Sequence, residues 1–188
     1  MPLELLPLEE ADLWAYRTIF AEAFENTLMA VMFPNGYTEE DKTIDIEFQA
    51  REWLDHPEEV KLMKVVDTDL PDNDSCRKIV GVSKWKFYPN GTTEEKFKEG
   101  DDALLKRTWP PNADVQMFQA FIGAVRATNR EILGLEPYAA LGVLATRPTC
   151  HRRGVGAMHM RWGVAEADRV RIHQCISQPR FTPRNTDM

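Results

Sequence analysis

The sequence predicts an α/β (α+β) domain, and three observations predict it. Two apolar runs with strand character, residues 60–66 and 79–88, flank a turn-rich stretch and read as an antiparallel hairpin. Several segments between the strands repeat apolar residues at helical spacing. A short apolar run over 138–145 then passes through a proline- and arginine-rich turn into a helix opened by glycines. At 188 residues the chain is one domain on length, and long enough to bury one core.

Taken in order, residues 3–6 form a first strand. Residues 9–24 form a helix, with Leu13, Tyr16, Ile19, Phe20 and Phe24 at helical spacing and acids in the first turn. Residues 29–36 read as a loop, punctuated by Pro34 and Asn35-Gly36. A second helix covers 38–54; Thr38 with Asp41 makes a capping-box start, and Ile44, Phe48, Arg51 and Leu54 fall along one stripe. Residues 70–75 are the turn between the hairpin strands. Residues 92–111 hold a short helix and a linker-like insert. Residues 112–133 form a further helix, capped by Asn112 and ended by Gly134, with Val115, Phe118, Ile122, Val125 and Ile132 on one face. The run 138–145 is a buried strand. The last helix, 153–168, places Val155, Met158, Trp162 and Ala165 on its apolar side.

Composition removes several classes. The net charge of −7 argues against a general nucleic-acid binder. No apolar run approaches the roughly 20 residues needed to span a bilayer. The N-terminus does not read as a secretory signal, and three sparse cysteines, Cys76, Cys150 and Cys175, suit a reducing compartment; the expectation is a cytoplasmic protein. The first third is acidic and the last quarter is rich in arginine. Such a division suits a cationic acceptor and an anionic cofactor; it equally describes two solvated surfaces.

The unit that carries chemistry is the strand, the basic turn and the glycine-opened helix. A helix start offers unpaired backbone N–H groups and the positive end of a dipole. Gly154 and Gly156 clear side chains from it, and Arg152 and Arg153 bring positive charge, so the turn is an anion cradle. A Walker turn is absent, and a dinucleotide fingerprint would need glycine where His159 stands. Cys150-His151 lacks an orienting acid for nucleophilic work, and no zinc spacing is present.

An apolar strand, then Pro-x-x-Gln/Arg-x-x-Gly-x-Gly/Ala, then an amphipathic helix is the signature of the GNAT superfamily of N-acetyltransferases. The chain resembles it at Pro148-Thr-Cys-His-Arg-Arg-Gly-Val-Gly156, with His151 where the family has Gln or Arg. The stretch 162–168 looks like fungal members. The resemblance covers residues 1–168 and is strongest over 138–168. It implies a GNAT-like mixed, largely antiparallel central sheet with helices on both faces, and acetyl-CoA as acyl donor. The pyrophosphate would lie at His151, Arg152, Arg153, Gly154, Val155, Gly156 and Ala157. The pantetheine arm would pair beside Val143, Leu144, Ala145 and Thr146, with the Leu144 N–H polarising the thioester carbonyl. The acceptor would be a small amine, with no metal. Glu136, Tyr138 and Glu25 are the candidates to take its proton, each of which also reads as a surface or packing residue.

After Asp168 the resemblance stops. The family expects more strands and a helix that often bears a tyrosine, whereas this sequence has no tyrosine after Tyr138 and two prolines in its last ten residues. Residues 169–188 are therefore expected to be a disordered tail on a C-terminally truncated GNAT-like domain. The strand 138–145 would then be a partly unpaired edge prone to self-association. A non-catalytic CoA-binding or interaction remnant of the fold stands as the alternative.

Overall fold

A computed structural model describes residues 2–70 and 78–172, and the backbone of 175–177. The loop expected at 70–75 falls mostly outside the described residues, as does most of the tail expected at 169–188, of which 175–177 form a strand. Five strands form one sheet in chain order: β1 Leu3–Pro7, β2 Val60–Asp67, β3 Ile79–Tyr88, β4 Tyr138–Thr146 and β5 Cys175–Ser177. The first four are antiparallel to their neighbours, and β5 runs parallel to β4. The sheet is thus mixed and largely antiparallel. No helix among the described residues is long and apolar enough to cross a membrane.

Helices cover both faces. On one face lie α1 (Leu13–Phe24) and α2 (Glu39–Asp55), whose Leu13, Tyr16, Ile19, Ala50 and Trp53 pack on Leu62, Val82, Val143 and Ala145. On the other lies α5 (Val155–Arg169), against Val65, Val80, Trp85, Phe87 and Leu141. Two more helices, α3 (Glu94–Leu105) and α4 (Val115–Leu133), connect β3 to β4.

Three local expectations are corrected. The first half of the loop expected at 29–36 is helix, because α1 runs on through a π-helical turn, Glu25–Met29, and a last turn, Ala30–Met32. Met29, Met32 and Phe33 there bury themselves with Phe118 and Phe121 of α4. The cap of α4 is Asp114, which accepts the Met117 N–H at 2.9 Å. Asn112 instead donates its N–H and its Nδ2 to the buried carboxylate of Asp41, at 3.0 and 2.9 Å. Ile132, expected on the buried face of α4, is exposed; α4 lies at the edge of the fold and fully buries only Leu133.

The inward faces of α2 and α5 are also not those the apolar stripes indicate. Thr38 and Asp41 do form the capping box that starts α2. That helix buries Asp41, Lys42, Asp45 and Gln49, however, while Leu54 is 54% exposed. On α5 the buried stripe is Val155, His159, Gly163 and Ala167, and Ala165 is exposed. Two contacts set that rotation. His159 Nδ1 bonds Ser83 Oγ of β3 at 2.8 Å, both residues being fully buried. Gly163 lies against the Trp85 ring so closely that a Cβ there would come within 2.1 Å of it.

Candidate functional site

The site is built where β4 ends and α5 begins. Residue pairs run Lys84 with Val143 and Trp85 with Leu141, so Gly142 is an extra residue opposite nothing. Such a bulge bends the strand locally. Beyond it, the Arg147 N–H donates to Val80 O at 2.9 Å. Since paired and unpaired positions alternate in an antiparallel ladder, Val143 and Ala145 bond to β3. Leu144 and Thr146 therefore turn their N–H and C=O groups to the opposite edge. β5 occupies that edge only beside Ala139, Ala140 and Leu141. Among the described residues, nothing pairs with the stretch 142–146 there.

The chain then turns through a short 3₁₀ segment, Pro148–Cys150, and reaches α5. Gly154 is the residue before the helix, at φ +87°, and no side chain caps the helix start. The first helical bond is Met158 N–H to Gly154 O, at 3.1 Å. The N–H groups of Gly154, Val155, Gly156 and Ala157 find no acceptor among the described residues. A Cβ at Gly156 would meet only Leu144 Cδ2, at 3.8 Å, so the open helix start and the open strand edge adjoin.

The two arginines of the turn differ. Arg152 is exposed, sits at φ +62° and has no partner among the described residues. Arg153, expected to add charge for a phosphate, is committed elsewhere: its Nη2 bonds Asp67 Oδ2 at 2.7 Å. The Arg153 guanidinium holds the Asp67 carboxyl below the usual carboxylate range. Arg153 thus ties the turn to the end of β2. His151 folds its exposed ring back so that Nε2 lies 3.2 Å from Thr146 O, on the open edge of β4. Cys150 is buried beneath the turn.

The three candidates for proton removal are not brought together. Tyr138 is six residues before Leu144, about 20 Å along a strand. It is buried against Tyr88, ring centroids 4.8 Å apart, and burial pushes its hydroxyl further above its ordinary value. Glu136 is exposed just before β4, farther still from Leu144. Glu25 lies not on a loop but at the first position of the π-helical turn, and is exposed. One turn earlier, Glu22 accepts from Arg147 Nη1 at 2.6 Å, which places this end of α1 beside the end of β4. Glu25 thus follows the end of α1 that Glu22 and Arg147 tie to the end of β4, whereas Tyr138 and Glu136 lie at the opposite end of that strand.

Sequence reasoning missed a second group of polar residues, on the α1–α2 face. Asp45 of α2 pairs with both Arg17 of α1 and Arg107, which follows α3. Glu52, two turns farther along α2, pairs with both Lys84 and Lys86 of β3. Burial opposes the Glu52 charge, but the two ammonium groups outweigh it and hold the carboxyl below its ordinary range. The signal was present as Asp45, Gln49 and Glu52 at i, i+4 and i+7 on one helix face.

Comparison with known proteins bears on the fold. The chain matches no family description, and no curated protein matches it in sequence. Solved structures do match. Mosquito arylalkylamine N-acetyltransferase like 5b is 13% identical at a TM-score of 0.58, over 89% of this chain and 72% of that one. A Trypanosoma brucei acetyltransferase is 11% identical at 0.51, over 94% and 82%. A GNAT family acetyltransferase of Staphylococcus aureus is 10% identical at 0.50, over 100% and 93%. At these identities the likeness establishes a GNAT-type fold and nothing finer.

Proposed function

With a GNAT-type fold as its scaffold, we propose that this chain is an acyl-CoA-dependent N-acetyltransferase that moves an acetyl group from acetyl-CoA to a small amine. The observation that carries the reading is the continuity of two unsatisfied surfaces. The outward N–H groups of Leu144 and Thr146 lead directly into the free N–H groups of Gly154 to Ala157. A donor with amide groups along an arm and a pyrophosphate at its end has matching acceptors for both. The helix start would hold the pyrophosphate through N–H bonds and its dipole, with Arg152 adjacent. The open edge of 143–146 would hold the arm as an added strand.

The Leu144 N–H would then bond the thioester oxygen, and more strongly as charge develops on it. The amine nitrogen attacks the carbonyl carbon, a C–N bond forms, the C–S bond breaks and the thiolate leaves. An alkylamine has a pKa of about 10.4, so its proton must be taken up during transfer. Glu25 is the carboxylate that the geometry favours for this, directly or through water. The name of the mosquito neighbour, an arylalkylamine N-acetyltransferase-like protein, supports an amine acceptor.

The separation of Glu136 and Tyr138 from Leu144 favours a second reading, a non-catalytic CoA-binding protein of the same fold. Free thiol released from acetyl-CoA, with and without a panel of small amines, separates the two. Amine-dependent release, lost in Gly156→Val, is expected. CoA binding with no release for any amine would overturn the transferase reading and leave the second.

A further inference from the structure

Helix α2 turns a polar edge inward, and that edge is outnumbered. Asp45 and Glu52 face four cations: Arg17, Arg107, Lys84 and Lys86. Asp45, Arg107, Lys84 and Arg17 keep only 4%, 6%, 11% and 12% of their side-chain surface; Glu52 and Lys86, at 23% and 32%, form the side open to solvent. The two ion-pair groups lie within electrostatic range of each other, since Glu52 bears on Arg107 and Arg17 bears on Lys84. Ions taken out of water need a partner for their charge. Here the cluster holds an excess of two positive charges over its carboxylates. Burial, with Lys86 beside it, pushes the Lys84 ammonium down even though Glu52 opposes this.

Hydrogen bonding is equally one-sided. Gln49 spends its carbonyl on Lys84 Nζ, 3.5 Å away, which leaves its amide Nε2 in the cluster with no acceptor among the described residues. Arg107 Nε and the hydroxyl of Tyr16, which is close enough to Glu52 to feel its charge, are likewise buried without one. Gln49 is only 9% exposed and Tyr16 1%. Surplus charge and surplus donors call for the same thing, an anion with several acceptor oxygens. The place matters too. Lys84 pairs with Val143 across the ladder, immediately beside the Gly142 bulge. The cluster thus flanks β4 one strand from the edge on which Leu144 presents its N–H.

We propose that this cluster binds a carboxylate or phosphate group carried by the acceptor, so that the acceptor is an acidic amine rather than a simple cationic one. The role as an acceptor subsite rests on the acetyl-transfer reading; the anion binding does not. Lys86 and Glu52 guide the group in, and Lys84, Gln49 and Arg107 receive it.

The test uses the full chain and four probes: phosphoethanolamine, β-alanine, ethanolamine as the amine without an acidic group, and inorganic phosphate. Calorimetry measures binding without acetyl-CoA, and thiol release measures transfer with it. The acidic amines are expected to bind at least about tenfold tighter than ethanolamine, the size of one charged hydrogen bond. Lys86→Met is expected to erase that preference while the melting temperature holds or rises, since surplus charge is removed. Glu52→Gln is expected to tighten anion binding and lower the melting temperature of the free protein.

Equal binding of ethanolamine, or an acidic preference that survives Lys86→Met, overturns the proposal. So does binding of inorganic phosphate with no advantage for acidic amines. Preferential binding without transfer sinks the transferase reading and leaves the anion site. Transfer without acidic preference does the reverse.

Discussion

Replacing Gly156 by valine separates the folded scaffold from its use of the helix start. A Cβ at Gly156 would meet only Leu144 Cδ2, at 3.8 Å, which is ordinary contact. The cost to folding should be small, within about 1 kcal/mol, since losing glycine's backbone freedom offsets some crowding. The cost to a bound pyrophosphate should be large. Its oxygens must approach the N–H groups of Val155, Gly156 and Ala157, and a branched side chain at 156 stands over them. Hydrogen bonds to charged groups contribute roughly 1.5–3 kcal/mol each, so losing two removes at least about 3 kcal/mol. That is a loss of about a hundredfold or more in CoA affinity. Gly154 makes a poorer test, because its φ of +87° strains any other residue and mixes a folding defect with a binding one. Calorimetry with CoA measures affinity, and thermal unfolding confirms that Gly156→Val is folded. A folded variant that binds CoA as the parent does would refute the placement of the pyrophosphate.

The other expectations concern the residues that hold this turn in place. His151→Gln should leave CoA affinity within about threefold, roughly 0.7 kcal/mol, because the ring contacts Thr146 O rather than the helix start; a hundredfold loss by calorimetry would show the ring on the ligand. Gly163→Ala should destabilise the domain by about 3 kcal/mol in denaturant unfolding, since the new methyl would lie 2.1 Å from the Trp85 ring, itself fully buried; a change under about 0.5 kcal/mol would mean that α5 shifts freely on the sheet. Burial pushes His159 down to about 4 from its ordinary 6.5, partly offset by the nearby Gly81 backbone. In that window the unfolded chain binds a proton that the folded one refuses, so stability falls as pH drops from about 6.5 to about 4, by about 3 kcal/mol, and levels off below. Urea unfolding across this range should show the slope, and His159→Gln should remove it; a slope that persists in the variant would assign it to other groups.

Much of the fold was legible because its signals are local. The alternation over 60–66 and 79–88 needs only the pleat, and the strands β2 and β3 lie where it put them. Thr38 and Asp41 cap α2 by contacts within four residues. The failures share a different cause. Asn112 looks like a cap in sequence, but its amide is drawn off by Asp41, seventy-one residues away. The loop expected from Pro34 and Gly36 is shortened because Met29, Met32 and Phe33 find an apolar surface on α4 that no local window contains. A contact of the same long-range kind joins Arg153, two residues from the helix start, to Asp67 at the end of a distant strand.

The same distinction explains the site. The open helix start at 154–157 was readable because its signal is local: Gly154 precedes the helix and no side chain caps it. The outward N–H of Leu144 was implied by resemblance, and it becomes a physical statement only through register. Had the Gly142 bulge been absent, the alternation of bonded and free positions beyond it would slip by one residue, and Val143 would face the open edge instead. The charge cluster on α2 was unreadable for the opposite reason. Apolar periodicity assumes that a helix buries its greasiest stripe, and α2 does not: it buries Asp45 and Gln49 and leaves Leu54 at the surface. A helix adopts that rotation only where the opposing surface supplies enough charge, and β3 supplies it with Lys84 and Lys86 at alternate positions on one face. An inward run of lysines in a central strand costs stability in a fold that has no use for it. Its position beside the bulge that shapes the candidate slot is therefore the reason to look for its use in what the slot receives.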